Sequence, residues 1–375
     1  MSRQNKIIPI AGPSITQKEV DYVSKAVRYS WYENAYKYVS EFERKFADYI
    51  GVKYALATPS CTGALHLALL AINIKEGDEV ILPDITWAAT VFPVSYVKAN
   101  PIFVDIDPNS WCIDPDGIEM KITKKTKAII PVHLYGHPAD MKKILSLAKK
   151  YRLKVIEDAA ESVGASYFGK MTGSMGDVGC FSFHGTKTLT TGEGGMLVTN
   201  DRKIFERAKF LSDQAKSPKK AFWNLEVGYK NKMSDIQAAL GIVQLSRLDE
   251  LIIKKRKIFN WYKQNLGDIA GITLNCEKLG CRNSFWMVTI IVDKKYKMTK
   301  LQLVEKLLKY NIVSRPFFYP LSSLPPYKTK VNNPVAYARS EYAINLPCSL
   351  KITHEEVDYI CRSLLSVFGV SGSKN

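Results

Sequence analysis

Apolar and polar positions follow two rhythms along this chain, and the texture changes once. Over residues 15–29, with Thr16 as a cap, Val20, Val23 and Ala26 share one face. Over 39–50, Phe42, Phe46 and Ile50 do the same, so both stretches predict helices. Tyr54-Ala-Leu-Ala57 predicts a short strand leading through Thr58-Pro-Ser-Cys-Thr-Gly63 into a helix that runs to about Ala71. Strands are then predicted at 79–82, 101–105, 127–132, 153–157, 178–183 and 195–199, and helices at 87–98, 140–150 and 202–213. In 140–150, Met141, Ile144, Leu145 and Ala148 fall at i, i+3, i+4 and i+7. Such alternation predicts an α/β layer with a mostly parallel sheet between helices. From Asp235 to Leu251 the pattern predicts one long helix, which a basic stretch extends to about residue 264. Shorter elements follow: a strand at 285–292, a helix at 299–310, a strand near 312–318 and a helix at 354–367. The chain is therefore divided into a large domain with the N-terminal segment over 1–244 and a smaller α+β domain over 245–375.

Composition narrows the class. A chain of 375 residues with 46% hydrophobic content can bury a large core. It has no run of 18 apolar residues, and the polar start Met1-Ser-Arg-Gln-Asn-Lys6 lacks the apolar stretch of a signal peptide, so no membrane partner is expected. Seven cysteines form no CxxC pair, and Cys276 and Cys281 lack the second pair of a zinc site. No metal is expected, and a reducing, cytoplasmic setting is the simplest reading. The net charge of +17 raises nucleic acid as a partner. The lysines are dispersed, however, and consecutive residues in the densest run, Lys254-Lys-Arg-Lys257, point to different helix faces. Neither a helix-turn-helix nor a zinc-ligand set is present. The charge is read as a solvated surface, part of which attracts an anionic substrate such as a nucleotide diphosphate.

Ligands of a doubly wound sheet bind beyond the carboxyl ends of its strands, and four chemically distinctive features fall there. Asp158 follows Val155-Ile156, Lys187 follows Cys180-Phe-Ser-Phe183, Ser60-Cys61-Thr62-Gly63 opens a helix, and Trp87 follows the run ending at Pro83. Each alone has an ordinary explanation as a cap, a core ring or a solvated charge. Together they suit pyridoxal 5'-phosphate (PLP). The lysine holds the aldehyde as a Schiff base and then shuttles a proton, and the acid keeps the pyridine nitrogen protonated. An ion pair at about 4 Å and an effective dielectric near 20 contributes roughly 4 kcal/mol, or about three pKa units. Ser60, Cys61 and Thr62 aim amides and hydroxyls at a phosphate, with Ser182 adding another hydroxyl, and Trp87 offers a face to the ring.

Longer stretches carry a resemblance. Thr58-Pro-Ser-Cys-Thr-Gly-Ala-Leu65, Gly77-Asp-Glu-Val-Ile-Leu-Pro83, Phe103-Val-Asp105, Pro131-Val-His-Leu-Tyr-Gly136, Glu157-Asp-Ala-Ala-Glu161, Phe181 through Gly195 and Ser234-Asp-Ile-Gln-Ala-Ala239 together resemble the DegT/DnrJ/EryC1/StrS family of PLP-dependent nucleotide-sugar aminotransferases over residues 7 to 367. The resemblance implies the aspartate-aminotransferase-like architecture (PLP fold type I). It implies Lys187 as the Schiff-base lysine, Asp158 as the pyridinium partner, Trp87 on the ring, Cys61, Thr62 and Ser182 at the phosphate, and Glu161 near the ring hydroxyl. Arg315 and Tyr319 then lie near the sugar-nucleotide, with His184 and Glu193 flanking the lysine at the sugar pocket. It also implies a homodimer whose active sites draw on both chains.

Within the family, His133 through Met141, Lys187 through Met196 and Arg315-Pro-Phe-Phe-Tyr-Pro320 are most similar to the perosamine-forming branch, which aminates C4 of a 4-keto-6-deoxyhexose. The implied substrates are L-glutamate and a nucleotide-linked 4-keto-6-deoxy sugar, the product is a perosamine- or viosamine-type 4-amino sugar, and pyridoxamine phosphate is the intermediate cofactor form. The chain departs from the family at three places. Lys230, next to Asn231, stands where an asparagine usually reaches the partner subunit's phosphate, so either Lys230 binds that phosphate as a point charge or Asn231 shifts into place. The N-terminal loop Trp31 through Tyr38 is rich in tyrosine, and Ser322 replaces a common histidine. A sugar 3-dehydratase of this fold resembles the chain with histidine in place of Lys187. The same residues leave open a 3-keto-sugar aminotransferase and, from another class, a non-catalytic PLP- or nucleic-acid-binding protein.

Overall fold

The computed structural model describes residues 6–370, so residues 1–5 and the tail Ser371-Gly-Ser-Lys-Asn375 lie outside the described residues. Helices α1 (Gln17–Tyr29) and α2 (Lys37–Ile50) precede strand β1 (Tyr54–Thr58) and helix α3 (Cys61–Ala71). Then come β2 (Glu79–Pro83), α4 (Phe92–Tyr96), β3 (Asn100–Val104), α5 (Pro115–Lys121), β4 (Thr126–Ile129), α6 (Met141–Tyr151) and β5 (Lys154–Asp158). A small hairpin, β6 (Ser166–Tyr167) and β7 (Lys170–Met171), leads to β8 (Val178–Ser182), β9 (Gly195–Thr199) and α7 (Arg202–Ser212).

The central sheet has the order β1-β9-β8-β5-β4-β2-β3. Its pairings are parallel except at β9, which runs against both β1 and β8. The predicted α/β architecture is thus present, and the carboxyl ends of β1, β2, β5 and β8 share one rim. Strands covered on both faces read as continuous apolar runs, as Gly195–Thr199 does, every residue of which is buried. Phe42 and Phe46 of α2 reach the sheet, where Phe46 packs edge-on against Phe181 at 5.0 Å and Phe42 meets Phe183 at 5.3 Å. Burial of each such ring contributes about 1.5–3 kcal/mol. Helix α3 is apolar on nearly every face, and it lies sandwiched between the sheet and α7.

The remaining elements are α8 (Asp235–Ser246), α9 (Leu248–Leu266), β10 (Ile272–Leu274), β11 (Cys281–Arg282), β12 (Val288–Val292), α10 (Lys300–Leu308), β13 (Arg315–Pro316), α11 (Pro334–Tyr342), β14 (Ala343–Leu346) and α12 (His354–Val367). A second, antiparallel sheet has the order β10-β12-β14-β13. The amide of Cys348 donates to the Ile10 carbonyl at 2.8 Å, and Ile8 pairs with Ile312, so the first described residues are tied to this second sheet region.

Several expected elements differ. The helix expected over 235–251 is interrupted at Arg247, whose backbone leaves the helical region (φ −108°, ψ 3°). Its guanidinium turns to the Ser14 carbonyl at 3.2 Å and the buried Glu19 carboxylate at 2.6 Å. The helix expected over 87–98 shrinks to a turn at Ala88–Thr90 and the short α4, because Pro93 fits only the first turn of a helix. The strand near 312–318 contracts to Arg315–Pro316, since Pro316 cannot donate to a ladder. Helices α5 and α11 and strand β14 carried no expectation.

Candidate active site

The strand-end rim brings the lysine and the carboxylates together. Asp158, the last residue of β5, is 4% exposed. It accepts from the Thr90 hydroxyl at 2.7 Å and the Ala160 amide at 3.0 Å, and the Cys61 sulfur lies 4.0 Å away. Glu161, one turn later, is equally buried and accepts from the Tyr135 amide at 2.8 Å. Lys187 sits on the loop between β8 and β9 with its Nζ 3.7 Å from Glu161. Burial pushes Asp158 up from the ordinary carboxylate range, against its hydrogen bonds and Lys187. It lifts Glu161 to about 7. The Lys187 amine is lowered by the same desolvation, partly opposed by Glu161 and Asp158.

A layer beneath the rim fixes β5. Glu157 is fully buried and accepts from the amides of Gly173, Met175 and Gly176 at 2.6–2.8 Å. His133 Nδ1 accepts from the Ala139 amide, so Nε2 carries the proton it donates to Glu157 at 2.9 Å. The His133 amide in turn donates to the carbonyl of Asp158. Glu157 and Asp158 point to opposite faces of β5, which leaves one acid for structure and the next for the site.

The anion cradle forms at the start of α3. Ser60 caps the helix by accepting from the Gly63 amide at 3.1 Å, and the first amides of a helix have no partner within it. Gly195, paired with Ser182 across β8 and β9, packs on this turn. A Cβ at Gly195 would lie 2.6 Å from the Cys61 nitrogen, so only glycine allows this approach. Ser60, Cys61, Thr62 and Ser182 are therefore brought together around this turn. Asn231, from the segment before α8, packs beside Gly63 at the start of α3 of its own chain, whereas the Lys230 amine does not reach this turn and lies 3.9 Å from Asp213, in a cluster with Lys216 and Lys232.

The outer residues are arranged less tightly. His184 and Glu193 approach to 3.6 Å at the exposed mouth of the lysine loop. Trp87 is 62% exposed, and its ring tilts against Phe318 at 6.1 Å. Phe318 stacks on Tyr135 at 5.4 Å, which ties the segment carrying Arg315 and Tyr319 to the site. Arg315 is exposed opposite Asn345, and the Tyr319 ring is covered by the Lys300 amine at 3.5 Å. Ser322 is buried and donates to Asp84 at 2.7 Å, a structural contact rather than an open substrate position.

Sequence reasoning missed Thr90, Tyr135 and Trp286. Tyr135 adopts a left-handed backbone (φ 51°) that no local pattern signals. Trp286 stands just before an apolar strand and reads as core, yet Lys187 Nζ lies 3.6 Å over its ring.

The residues present fit PLP. A buried carboxylate with a raised pKa at the strand end calls for a cationic partner, which a protonated pyridine supplies. An amine lies beside it, and a glycine-lined helix start stands ready for an anion. The model for the DegT/DnrJ/EryC1/StrS aminotransferase family matches residues 13–365. The chain belongs to this family. Relatives include the GDP-perosamine synthases of Escherichia coli (42% identical, 96% of this chain and 98% of that protein) and of Caulobacter vibrioides (40% identical, 95% and 97%). Among solved structures, a Streptococcus pneumoniae protein described as a candidate sugar aminotransferase is 29% identical. Its PMP form superposes with a TM-score of 0.91 over 97% of this chain and 98% of that one, and its PLP form with 0.90 over 97% and 99%. The fold is that of the PLP-type aminotransferases, and the family member described here is a PLP-dependent transaminase.

Proposed function

We propose that this transaminase moves the amino group of L-glutamate to C4 of a nucleotide-linked 4-keto-6-deoxyhexose, giving a 4-amino-4,6-dideoxy sugar for glycan biosynthesis. The observation that carries the reading is the Lys187 amine set against Glu161 and beside Asp158 at the rim of β5 and β8. The GDP-perosamine synthase names of the relatives support the C4 position. Exposed aromatics at Trp31, Tyr32, Phe222 and Trp223 support a homodimer.

When bound, PLP supplies the aldehyde carbon through which the amino group passes and the ring that takes up the electron pair left by a departing proton. Ser60, Cys61, Thr62 and Ser182 would hold its phosphate, joined by Asn231. The Asp158 carboxylate would accept the pyridinium N–H, with Thr90 fixing its other oxygen. Trp87 would cover one ring face and Glu161 would face the ring hydroxyl. Lys187 would join the aldehyde carbon, leave when the amino donor replaces it, and then carry the α-proton of glutamate to that carbon. Water would then release 2-oxoglutarate, which ends the first half; in the second half the sugar ketone would give up its oxygen as water to take the amino group, and Lys187 would move a proton from the former aldehyde carbon to C4 of the sugar. Arg315, Tyr319, His184 and Glu193 would orient the sugar-nucleotide.

The test is incubation with glutamate, PLP and a panel of 3-keto and 4-keto sugar nucleotides, followed by 2-oxoglutarate release and mass of the sugar product. Amination of a 4-keto-6-deoxy sugar is expected, and amination of 3-keto sugars alone would overturn the C4 assignment. Lys187→Ala should lower turnover by about 10⁴-fold or more while circular dichroism stays native.

A further inference from the structure

One surface near the Lys187 amine does not come from the strand-end rim. The centroid of the Trp286 indole lies 3.6 Å from Nζ, as near as the Glu161 carboxylate at 3.7 Å. Trp286 precedes β12 and is gripped on three sides. Its Nε1–H donates to the carbonyl of Thr186, the residue before the lysine, at 2.8 Å. Its own carbonyl accepts from Lys255 at 3.0 Å. Its ring lies nearly parallel to Tyr135 (6.0 Å, 28°), whose amide holds Glu161.

The Lys255 contact is unusual. This ammonium is 2% exposed, and its bonds run to the carbonyls of Trp286 and Cys348, the latter at 2.6 Å, and to the Cys348 sulfur. Burying a cation among neutral acceptors is costly, and here the outcome is one carbonyl held at one place. The carbonyl belongs to the residue whose ring meets the reactive amine.

We propose that the face of Trp286 is the resting surface of the Lys187 amine whenever the lysine is not joined to the cofactor, and that Lys255 is the residue that positions this ring. The proposal rests on the reading of Lys187 as the cofactor lysine. Groups facing the amine are Glu161 after β5, Asp158 at its end, Cys61 on α3, and the Trp286 ring with Lys255 behind it. Two carboxylates favour the ammonium but lie to one side, toward the rim. The Trp286 ring, from the segment before β12, is a further partner for the same ammonium. A desolvated cation–π contact of this closeness raises an amine's pKa by about one unit.

The experiment reads the amine itself. The full-length protein, without and with added PLP, is labelled by trace acetic anhydride across a pH series, and acetylation of the Lys187 peptide is followed by mass spectrometry. In Trp286→Leu the labelling midpoint without PLP is expected to fall by about 0.5–1 pH unit, and in Trp286→Phe by less. Lys255→Met, which frees the ring, is expected to lower it in the same direction. Biosynthetic fluorination of the tryptophans keeps their shape and weakens the ring face, so the midpoint should fall stepwise with fluorine count even where the leucine variant fails to fold. A midpoint unmoved by fluorination, or by Trp286→Leu in folded protein, overturns the proposal. Failure of PLP to protect Lys187 in the wild type overturns the cofactor-lysine reading instead, whatever the midpoints do.

Discussion

At the scale of single residues, the site works by contrast between neighbours. Glu157 is saturated with amide donors and a neutral histidine, Asp158 has a hydroxyl and one amide, and Glu161 has one amide and a lysine. Burial lifts the pKa of Glu161 from 4.5 to about 7, against Lys187 and the Tyr135 amide. A raised pKa means the fold binds this proton more tightly than the unfolded chain does. The resulting stability is full below 4.5 and is lost as pH rises through about 7. In the cofactor-free protein, Glu161→Gln should flatten the decline of Tm between those two pH values relative to wild type. Parallel Tm–pH curves for the two proteins would refute it. Asp158, Lys187 and the Ser60–Thr62 turn were legible in the sequence because strand ends and helix starts mark themselves locally. Trp286 and Thr90 were not, because a ring beside an apolar strand and a threonine after a tryptophan look ordinary until the chain folds back.

At the scale of elements, two junctions place the site. The first is β9 against α3, where Gly195 lets the strand lie on the helix start. Gly195→Ala would set a methyl against the backbone of Ser60 and Cys61, which cannot move aside as a side chain can. Overpacking of this kind costs about 1–3 kcal/mol, so PLP affinity should weaken by about tenfold or more, as measured by absorbance titration. The second is the break between α8 and α9. Hydrogen bonds from Thr16, Arg247 and Gln244 outweigh the burial of Glu19 and hold its pKa near 2. Arg247→Ala would strand that buried carboxylate and should cost about 3 kcal/mol in urea unfolding at neutral pH. Because the folded pKa is depressed, this stability is present above 4.5 and lost as pH falls toward 2, so the difference between variant and wild type should shrink over that range. A uniform apolar pattern through 235–251 could not reveal the break, since its cause is a contact with residues 14 and 19.

At the scale of the whole molecule, the charge of +17 acts at a distance. Raising ionic strength from about 0.01 to 0.15 M shortens the screening length from about 30 Å to about 8 Å. For a substrate carrying a diphosphate, KM should rise over that range while kcat holds, and a kcat that falls with constant KM would argue against steering. Alternating apolar periods, strand-end acids and one lysine in a hydroxyl-rich loop made the α/β class and the cofactor legible in the sequence, because strand ends and helix starts mark themselves locally. The tertiary structure alone decided that β9 runs against its neighbours, that residues 8–10 join the second sheet region, and that Trp286, held by Lys255, meets Lys187. Those depend on contacts beyond the reach of local periodicity, and burial selects such partners.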